Sequence, residues 1–497
     1  MEIRVSRKLP DTKFGTSGAA GAAFDTLLLV PRRERDMPDS LDAVSPLDGR
    51  YARYTEPLGP HASEAALMRA RLRVEVKYLL ALADLPATPL ELEDEERTIL
   101  RELYGSFDAE DARLIKQLET EGYGEYSATN HDVKAVEYFL RVQVDGTDLE
   151  RVVPWIHFAL TSEDVNNLAH RLLVRGAVAE VLVPALREVE EALSELAREY
   201  RDVSMLARTH GQPATPTTFG KEMAVYASRL GAARGRVQTA VGDLAGKLAG
   251  ASGTYAAHHA AYPEVDWPAF SREFVEGLGF SHASLVTQVN PCDDLATLFD
   301  ALRGVNDVLL DLDLDAWLYV SDRYLGQEAT EGETGSSTMP HKVNPIDFEN
   351  SEGNLSKANS DLTFLADYVT TSRLQRDLSD STVKRNIGAA FAHCLIGYRK
   401  TAAGLGKVVP NELVMREELE ANPEVLGEAI QTVLRREGHP DAYERVKELT
   451  RGERVSVEEL QGLVEELDVP AEVREELAAL TPAGYTGLAD ELVDELE

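Results

Sequence analysis

The chain has 497 residues and is strongly acidic, with 51 lysines and arginines against 86 aspartates and glutamates and a formal net charge of −35. Because nucleic acids and anionic membranes attract proteins with a broad basic face, this balance argues against both as main partners. With 43% hydrophobic residues, the chain is long enough for two or three folded domains, which excludes wholesale disorder.

The same composition also predicts the cellular environment of the protein. Counterions of a salt-rich cytosol would screen the repulsion among so many carboxylates, so a halophilic source is predicted. The two cysteines, Cys292 and Cys394, lack CxxC spacing, and the longest apolar run near the N-terminus, residues 27–30, is far too short to span a membrane. We expect a soluble, cytoplasmic protein.

Residues 1–36 differ from the rest of the chain. They carry seven basic and five acidic residues, a net charge of +2, and a small-residue stretch at 15–23 without helical or strand periodicity. We expect a disordered leader or an upstream extension here, with the functional chain starting at Met37. The remainder is divided into an N-terminal helical domain (37–150), a central long-helix domain (151–407) and a C-terminal helical domain (408–497).

Three long helices are predicted in the central domain. Apolar residues at steps of three and four form one seam on a helix from about residue 165 and another on a helix from Asp294. The members of these seams are Leu182, Leu186, Val189, Leu193 and Leu196, and Leu295, Leu298, Leu302, Val305, Leu309 and Leu312. The third segment, 221–248, is rich in alanine and glycine, which lets neighbouring backbones approach closely.

Strand signals are scarce, because no series of alternating apolar and polar residues with hairpin turns is present. The prediction is a mostly α fold, a long central helix bundle flanked by smaller N- and C-terminal helical domains. Helices of this kind, about 40–50 Å long at about 1.5 Å per residue, exceed what a domain of this size needs. Such helices commonly bury their seams against other subunits, although a monomeric bundle is an alternative.

A loop at 332–345 crowds glycine, hydroxyl and basic residues together. Gly332 and Gly335 permit unusual backbone angles, whereas Pro340 and Pro345 stiffen the far end. A loop of this kind can close over a substrate and present hydroxyl, ammonium and N–H groups to a carboxylate-type anion. The alternative is a solvated serine/glycine linker.

His210 belongs to a second polar stretch, residues 207–222. Two prolines and two glycines predict an irregular segment that ends at a helix and directs His210 into a pocket. Histidine suits general acid–base work because its ordinary pKa lies near neutrality. The alternative is a structural histidine.

Two clusters open predicted helices, one at 129–132 (Thr-Asn-His-Asp) and one at 161–164 (Thr-Ser-Glu-Asp). Such residues are typical N-caps, and free hydroxyl and N–H groups at helix starts also bind carboxylate or phosphate. Both interpretations stay open.

Basic residues collect at 372–386, where four basic residues meet two acidic ones. Arginine beside serine and threonine hydroxyls is typical of a phosphate monoester site, and a surface ion-pair cluster is the alternative. The pair His258-His259 lacks the context of a zinc site, and no glycine-rich nucleotide loop is present. We therefore expect no metal and no cofactor.

Three of these stretches resemble a known superfamily. Residues 335–345 are similar to the signature loop of the fumarase/aspartase superfamily, lyases that release fumarate, and residues 208–216 resemble its second conserved block. Within that superfamily, His341 after Met-Pro, together with 45–51 and 129–132, resembles the adenylosuccinate lyase family in its bacterial long form. The resemblance extends from about Leu41 to the C-terminus.

The resemblance implies a homotetramer whose long helices form one shared bundle, with each active site built from three subunits. It implies β-elimination of fumarate from adenylosuccinate, giving AMP, and from succinylaminoimidazole carboxamide ribotide, giving AICAR, in purine nucleotide biosynthesis. The alternatives are another fumarate-releasing lyase, acting on argininosuccinate or malate, and a non-catalytic scaffold derived from a lyase.

The resemblance also assigns residues. Ser336 becomes the base that removes the proton, and His210 becomes the general acid for the leaving nitrogen. Because a serine alkoxide is costly, we expect Lys342 and loop N–H groups to lower its cost. Residues carried over as substrate-binding are Arg50, Tyr51, Asn130, His131, Asp132, Thr161, Ser162, Gln288, Lys342, Asn344, Asn350, Arg376, Ser381, Thr382 and Arg385.

Overall fold

The computed structural model describes residues 40–328, 343–450 and 455–496. Helices account for most of these residues, which confirms the prediction of a mostly α fold. The predicted leader, most of the predicted 332–345 loop, Ser336 and Lys342 lie outside the described residues.

The N-terminal part carries six helices and a short hairpin. The helices are α1 (Ala52–Thr55), α2 (Gly59–Ala62), α3 (Glu64–Ala83), α4 (Asp94–Gly105), α5 (Ala109–Thr120) and α6 (Asp132–Val144), and the strands are β1 (Gly122–Tyr123) and β2 (Tyr126–Ser127). Ser63 caps α3 by accepting a hydrogen bond from the Ala66 N–H. The apolar face of α3 packs against α7, the first helix of the central part.

The central part contains the long helices. They are α7 (Ser162–Gly176), α8 (Val183–Glu199), α9 (Phe219–Gly242), α10 (Ala256–Ala261), α11 (Trp267–Gly277), α12 (Asp293–Ser321), α13 (Ile346–Val369), α14 (Ser379–Lys384) and α15 (Ile387–Leu405). Helix α12 packs against α9 and α13, and α15 packs against α13 and α8. The result is a bundle of long helices.

Both predicted seams lie in this bundle. All six seam residues of α12 are buried, as are Leu182, Leu186, Val189 and Leu193 in the first seam, whereas Leu196 is only half-buried. The predicted third helix is too long, because α9 ends at Gly242 and Ala245–Gly246 instead forms a short strand, β5, parallel to β6 (Ser281–His282). A π-helical segment, Ala177–Leu182, joins α7 to α8 without a break.

The prediction of an irregular segment around His210 is wrong. Strands β3 (Ser204–Thr209) and β4 (Gln212–Thr218) form an antiparallel hairpin in which Thr209 pairs with Gln212. His210 (φ 54°) and Gly211 (φ 72°) both adopt left-handed backbone angles, as a two-residue type I′ turn requires. Two prolines in β4 and the unusual turn residue histidine conceal this hairpin in the sequence.

The C-terminal part has its own apolar core. It contains α16 (Glu412–Glu420), α17 (Gly427–Arg436), α18 (Ala442–Thr450), α19 (Val457–Glu466) and α20 (Ala471–Ala478), and the paired strands β7 (Leu325–Gln327) and β8 (Val408–Pro410) precede it. Twelve buried residues between Leu426 and Leu477 form this second core. The main core contains buried residues from Leu47 to Met415 and also Val493, and the domain boundaries stay a prediction.

Within the three described ranges, no helix is long and apolar enough to cross a membrane. Both cysteines, Cys292 and Cys394, are buried and free.

Candidate functional site

Asp132 joins the start of α6 to two arginines from elsewhere in the chain. Its Oδ2 accepts hydrogen bonds from Arg71 Nη2 at 2.8 Å and from Arg385 Nη2 at 2.9 Å. Burial acts to raise the pKa of Asp132, but the two guanidinium groups outweigh it and hold that pKa below its ordinary value. Asp132 is therefore a carboxylate that holds Arg385 beside α6.

The two residues before Asp132 shape the start of α6. Asn130 has a left-handed backbone (φ 49°), and His131 Nδ1 accepts a hydrogen bond from the Lys134 N–H at 3.2 Å. His131 thus caps α6, as one of the two interpretations of this cluster predicted. Its ring remains half-exposed and can also meet a ligand.

The cluster at the start of α7 is a capping arrangement as well. The Thr161 N–H donates to Asp164 Oδ2 at 2.8 Å, and Ser162 is the first residue of the helix. Asp164 is fully buried and its Oδ1 lies 2.8 Å from the Nζ of Lys247, which is also fully buried. Asp164 thus has a structural role, whereas Thr161 and Ser162 stay partly exposed.

Arg376 and Ser381 lie beside Glu163, the carboxylate that precedes Asp164 in α7. Arg376 Nη2 donates to Ser381 Oγ at 3.3 Å and lies 3.4 Å from Glu163 Oε1. The second Glu163 oxygen is buried and has no hydrogen-bond partner among the described residues. Arg376 and the Ser381 hydroxyl thus lie together, and Arg376 is also ion-paired with Glu163, so the phosphate site and the ion-pair cluster both stay open as interpretations.

Arg385 and Thr382 complete this group. Arg385 is exposed and contacts Glu64 Oε2 through Nη1 at 2.8 Å as well as Asp132, and Thr382 is exposed on α14. A phosphate that binds Arg385 would therefore compete with two carboxylates for it.

Lys384 was not among the predicted site residues, yet it lies in the same group. It is buried, and its Nζ contacts Asp380 Oδ2 at 2.8 Å and Glu163 Oε2 at 4.0 Å. Burial would lower the pKa of Lys384, but Cys292, Glu163 and Asp380 raise it. The four-residue spacing from Asp380 is the sequence signal that could have identified this pair.

Gln288 is tied to the same loop as Arg376. Its backbone N–H donates to Gln375 Oε1 at 3.1 Å, and its Nε2 donates to the Ala251 carbonyl at 3.0 Å. We name the surface formed by Asn130, His131, Asp132, Thr161, Ser162, Gln288, Arg376, Ser381, Thr382 and Arg385 the anion cluster.

A second group of predicted residues lies apart from the anion cluster. Asn350 Nδ2 is 3.4 Å from the hydroxyl of Tyr51, with Arg50 exposed in the turn before it. Asn344 lies two residues before α13 and is partly buried. Helix α13 is antiparallel to α12, since Glu349 meets Trp317 and Thr363 meets Arg303, so Asn350 lies toward the C-terminal end of α12.

His210 is at the tip of the β3–β4 hairpin and is exposed. Its ring has no hydrogen bond or ion pair within the part of the chain that the structure describes. The nearby Arg208 pairs with Glu418 of α16, and its Nε lies 3.7 Å from Asp322 Oδ2, directly after α12.

The anion cluster and His210 lie toward opposite ends of α12. The Val289 N–H, four residues before α12, donates to the Gln375 carbonyl next to Arg376, whereas Arg208 near His210 contacts Asp322 after its last residue. A helix of 29 residues is about 43 Å long. One copy of the chain therefore does not bring His210 to the anion cluster.

Among the described residues, no group of three or more histidine, cysteine, aspartate or glutamate side chains is arranged to hold a metal ion. His258 is buried beside the Tyr78 hydroxyl, 3.1 Å from its Nε2, and burial lowers its pKa to about 4. It is a core histidine.

Comparison with known proteins places the chain in a family. Residues 49–359 match a lyase family model, and residues 372–486 match the adenylosuccinate lyase C-terminal model. The chain is 46% identical over 458 residues to an adenylosuccinate lyase of Legionella pneumophila, a match covering 91% of this chain and 98% of that one. It is 46% identical over 465 residues to the Escherichia coli K12 adenylosuccinate lyase, covering 92% and 99%.

The fold is also that of solved lyases. A crystal structure of a fumarate lyase from Mesorhizobium sp. BNC1 superposes with a TM-score of 0.70 at 21% identity, covering 90% of this chain and 97% of that one. The chain therefore belongs to the adenylosuccinate lyase family, within the fumarase/aspartase superfamily.

Proposed function

We propose that the chain is an adenylosuccinate lyase, a carbon–nitrogen lyase that eliminates fumarate from adenylosuccinate, giving AMP, and from succinylaminoimidazole carboxamide ribotide, giving AICAR, in purine nucleotide biosynthesis. The observation that carries this proposal is the anion cluster, where Arg376 donates to the Ser381 hydroxyl and Arg385 lies beside Asp132 at the start of α6. Charged hydrogen bonds from planar guanidinium groups suit a phosphate monoester, which both substrates carry.

The anion cluster would bind the nucleotide phosphate and part of the succinyl group. Arg376 and Ser381 would hold the phosphate, and Arg385 would exchange Asp132 or Glu64 for it. Thr161, Ser162 and Gln288 would then face the succinyl carboxylates. Tyr51, with its hydroxyl beside Asn350, would contact the nucleotide.

The reaction requires a base and an acid. Ser336, as an alkoxide stabilised by Lys342, would accept the proton from the carbon next to the β-carboxylate. His210 would protonate the departing nitrogen as the C–N bond breaks. An exposed ring at a rigid hairpin tip is free to serve as this acid once another element covers it.

A homotetramer with shared active sites would bring these groups together. Two features support it: the separation of His210 from the anion cluster, and an exposed apolar stripe on α12 formed by Leu314, Trp317 and Leu318. Their spacing of three and four residues puts them on one face of the helix. A second copy packed on this face would bury the stripe and could supply the missing group.

The acidic composition supports a salt-rich cytoplasm as the working environment. Repulsion among unscreened carboxylates would loosen the tetramer at low ionic strength. Light scattering across a KCl series would test this, and a tetramer that persists unchanged in millimolar salt would contradict it.

Fumarate release tests the proposed reaction. Adenylosuccinate is added to the purified chain in molar KCl, the ultraviolet change is followed, and argininosuccinate and malate serve as parallel controls. We expect release from adenylosuccinate alone. Release from another substrate would indicate a sister lyase, and a folded tetramer inactive with all three would indicate a scaffold.

A further inference from the structure

Helix α3 carries a row of positive charges on its outer face. Arg69, Arg73 and Lys77 follow at steps of four, so they lie above one another on the helix surface. Arg101 of α4 and Arg175 of α7 line the same region. We call these five residues the α3 cation groove.

Three of these cations lack partners. Within the described ranges, Arg73, Lys77 and Arg101 have no hydrogen bond or ion pair, and the Nε of Arg73 is buried without an acceptor. Like charges spaced by four residues destabilise a helix. Although acidic residues far outnumber basic ones in the chain, too few carboxylates lie here to offset the repulsion between these cations.

The acidic residues around the groove do not balance it. Five cations meet three carboxylates here: Asp84 pairs with Arg97 at 2.7 Å, whereas Glu180, which lies near Arg175, and Glu273 remain to offset the groove. Burial first, and then the guanidinium groups of Arg73, Arg101 and Arg175, lower the pKa of Lys77. Cations thus outnumber carboxylates along the groove.

Arg175 is held in place for binding. Its Nη1 donates to the carbonyls of Leu278 and Gly279, both at 3.0 Å, and its guanidinium lies 4.4 Å from the centre of the Phe280 ring. A guanidinium fixed in this way loses little conformational entropy when it binds a ligand.

Two adjoining cavities follow the groove. One, of about 480 Å³, has a wall of Leu80, Leu85, Tyr104, Phe270 and Phe274, with Lys77 and Arg101 beside it. The other, of about 500 Å³, is lined by Arg69, Arg73 and Arg175, and Tyr104 borders both. An aromatic wall next to a cationic cavity matches a ligand that joins a flat ring to several negative charges.

We propose that the α3 cation groove binds a nucleotide with two or more phosphates, its base against the aromatic wall and its phosphates against Arg73, Lys77 and Arg175. This site is separate from the anion cluster. Arg71, which contacts Asp132, lies two residues from Arg73 and hence about 200° around the helix. The two sites thus use opposite faces of α3.

Isothermal titration of the full chain with ATP tests this proposal. The background is Arg376→Gln, which weakens phosphate binding in the anion cluster, and tripolyphosphate and adenosine are titrated in parallel at one KCl concentration. We expect one ATP per chain, weaker binding of tripolyphosphate, and no measurable binding of adenosine. Absence of ATP binding in this background, or tripolyphosphate binding as tight as ATP, would overturn the proposal.

Substitutions then locate the ligand. Arg73→Gln and Lys77→Gln should each weaken ATP by about tenfold, the usual effect of one charge-assisted hydrogen bond. Arg101→Gln, at an exposed position where folding is not at risk, should weaken it as well. Arg113→Gln, which removes an exposed cation of α5 outside the groove, is the matched control. Equal ATP affinity in all four variants would overturn the assignment.

Discussion

The anion cluster and the His210 hairpin differ in how complete they are within one chain. In the anion cluster, Asp132 lies between two arginines and Arg376 lies beside Glu163. At the hairpin, a rigid turn presents a histidine ring to solvent without any partner among the described residues. Under the proposed function, one copy of the fold organises the binding groups and supplies the acid to another copy.

The largest expected effect comes from the hairpin. His210→Ala should lower kcat by roughly 10²–10⁴-fold, the usual contribution of a general acid, with little change in KM. Single-turnover kinetics with adenylosuccinate measure this. Turnover at the wild-type rate would remove His210 from the mechanism.

Complementation tests whether the two regions meet between chains. His210→Ala chains and Arg376→Gln chains are mixed, dissociated and reassembled, and activity is assayed at a substrate concentration well below the KM of the Arg376→Gln variant. If each site takes His210 from one chain and Arg376 from another, random mixing at equal amounts restores both groups in about a quarter of the sites. Activity that stays at the level of the separate variants would show that both groups act from the same chain.

A smaller effect is expected in the anion cluster. Arg376→Gln should raise KM for adenylosuccinate by roughly ten- to a hundredfold, because a charge-assisted hydrogen bond to phosphate is lost. The matched control is Arg373→Gln, which removes an exposed arginine of the same loop that pairs with Asp377. Equal KM values for the two variants would contradict the phosphate assignment.

The regions should also differ in stability. Lys247→Met leaves the buried Asp164 carboxylate without its cationic partner behind the anion cluster, which should lower the free energy of unfolding by about 3–5 kcal/mol. Arg208→Met at the hairpin breaks a partly exposed pair and should change it by less than about 1 kcal/mol. Urea unfolding of both variants measures the difference, and similar midpoints would contradict it.

The middle of the bundle, between the two regions, should respond to pH. Burial raises the pKa of Asp313 to about 8 despite hydrogen bonds from Ser351 and Thr401, whereas the unfolded carboxyl titrates near 3.8. Between these values the native state holds a proton that the unfolded state has released, so stability falls as pH rises.

Asp313→Asn removes this titration. The melting temperature of the variant relative to wild type should therefore increase as pH rises from about 4 to about 8 and then level off. Thermal melts across that range test it, with the exposed Asp300→Asn as control. A difference that does not vary with pH would contradict the prediction.

The sequence was most informative where structure is local. The seam of α12 is buried as predicted, because periodic apolar residues determine which face of a helix is covered. The β3–β4 hairpin and the early end of α9 were not predicted, since pairing between strands and contacts with β6 depend on tertiary structure.

In the candidate site, too, local motifs were predicted and tertiary contacts were not. Motif resemblance indicated Asp132, Arg376 and Ser381, which the fold brings close together. It did not indicate that Lys384 is buried or that Asp164 pairs with Lys247, because burial depends on the packing of distant helices. Ser336 and Lys342 stay predictions, since both lie outside the described residues.

The π-helical segment Ala177–Leu182 determines which way the side chains of α8 face relative to those of α7. One residue more or less in a helix turns everything beyond it by about 100°. Removing a single residue here would swing Leu186, Val189 and Leu193 away from the bundle while leaving Glu163 and Arg171 in place. The segment thus lets one continuous helix direct charged side chains toward the anion cluster and apolar side chains toward the bundle.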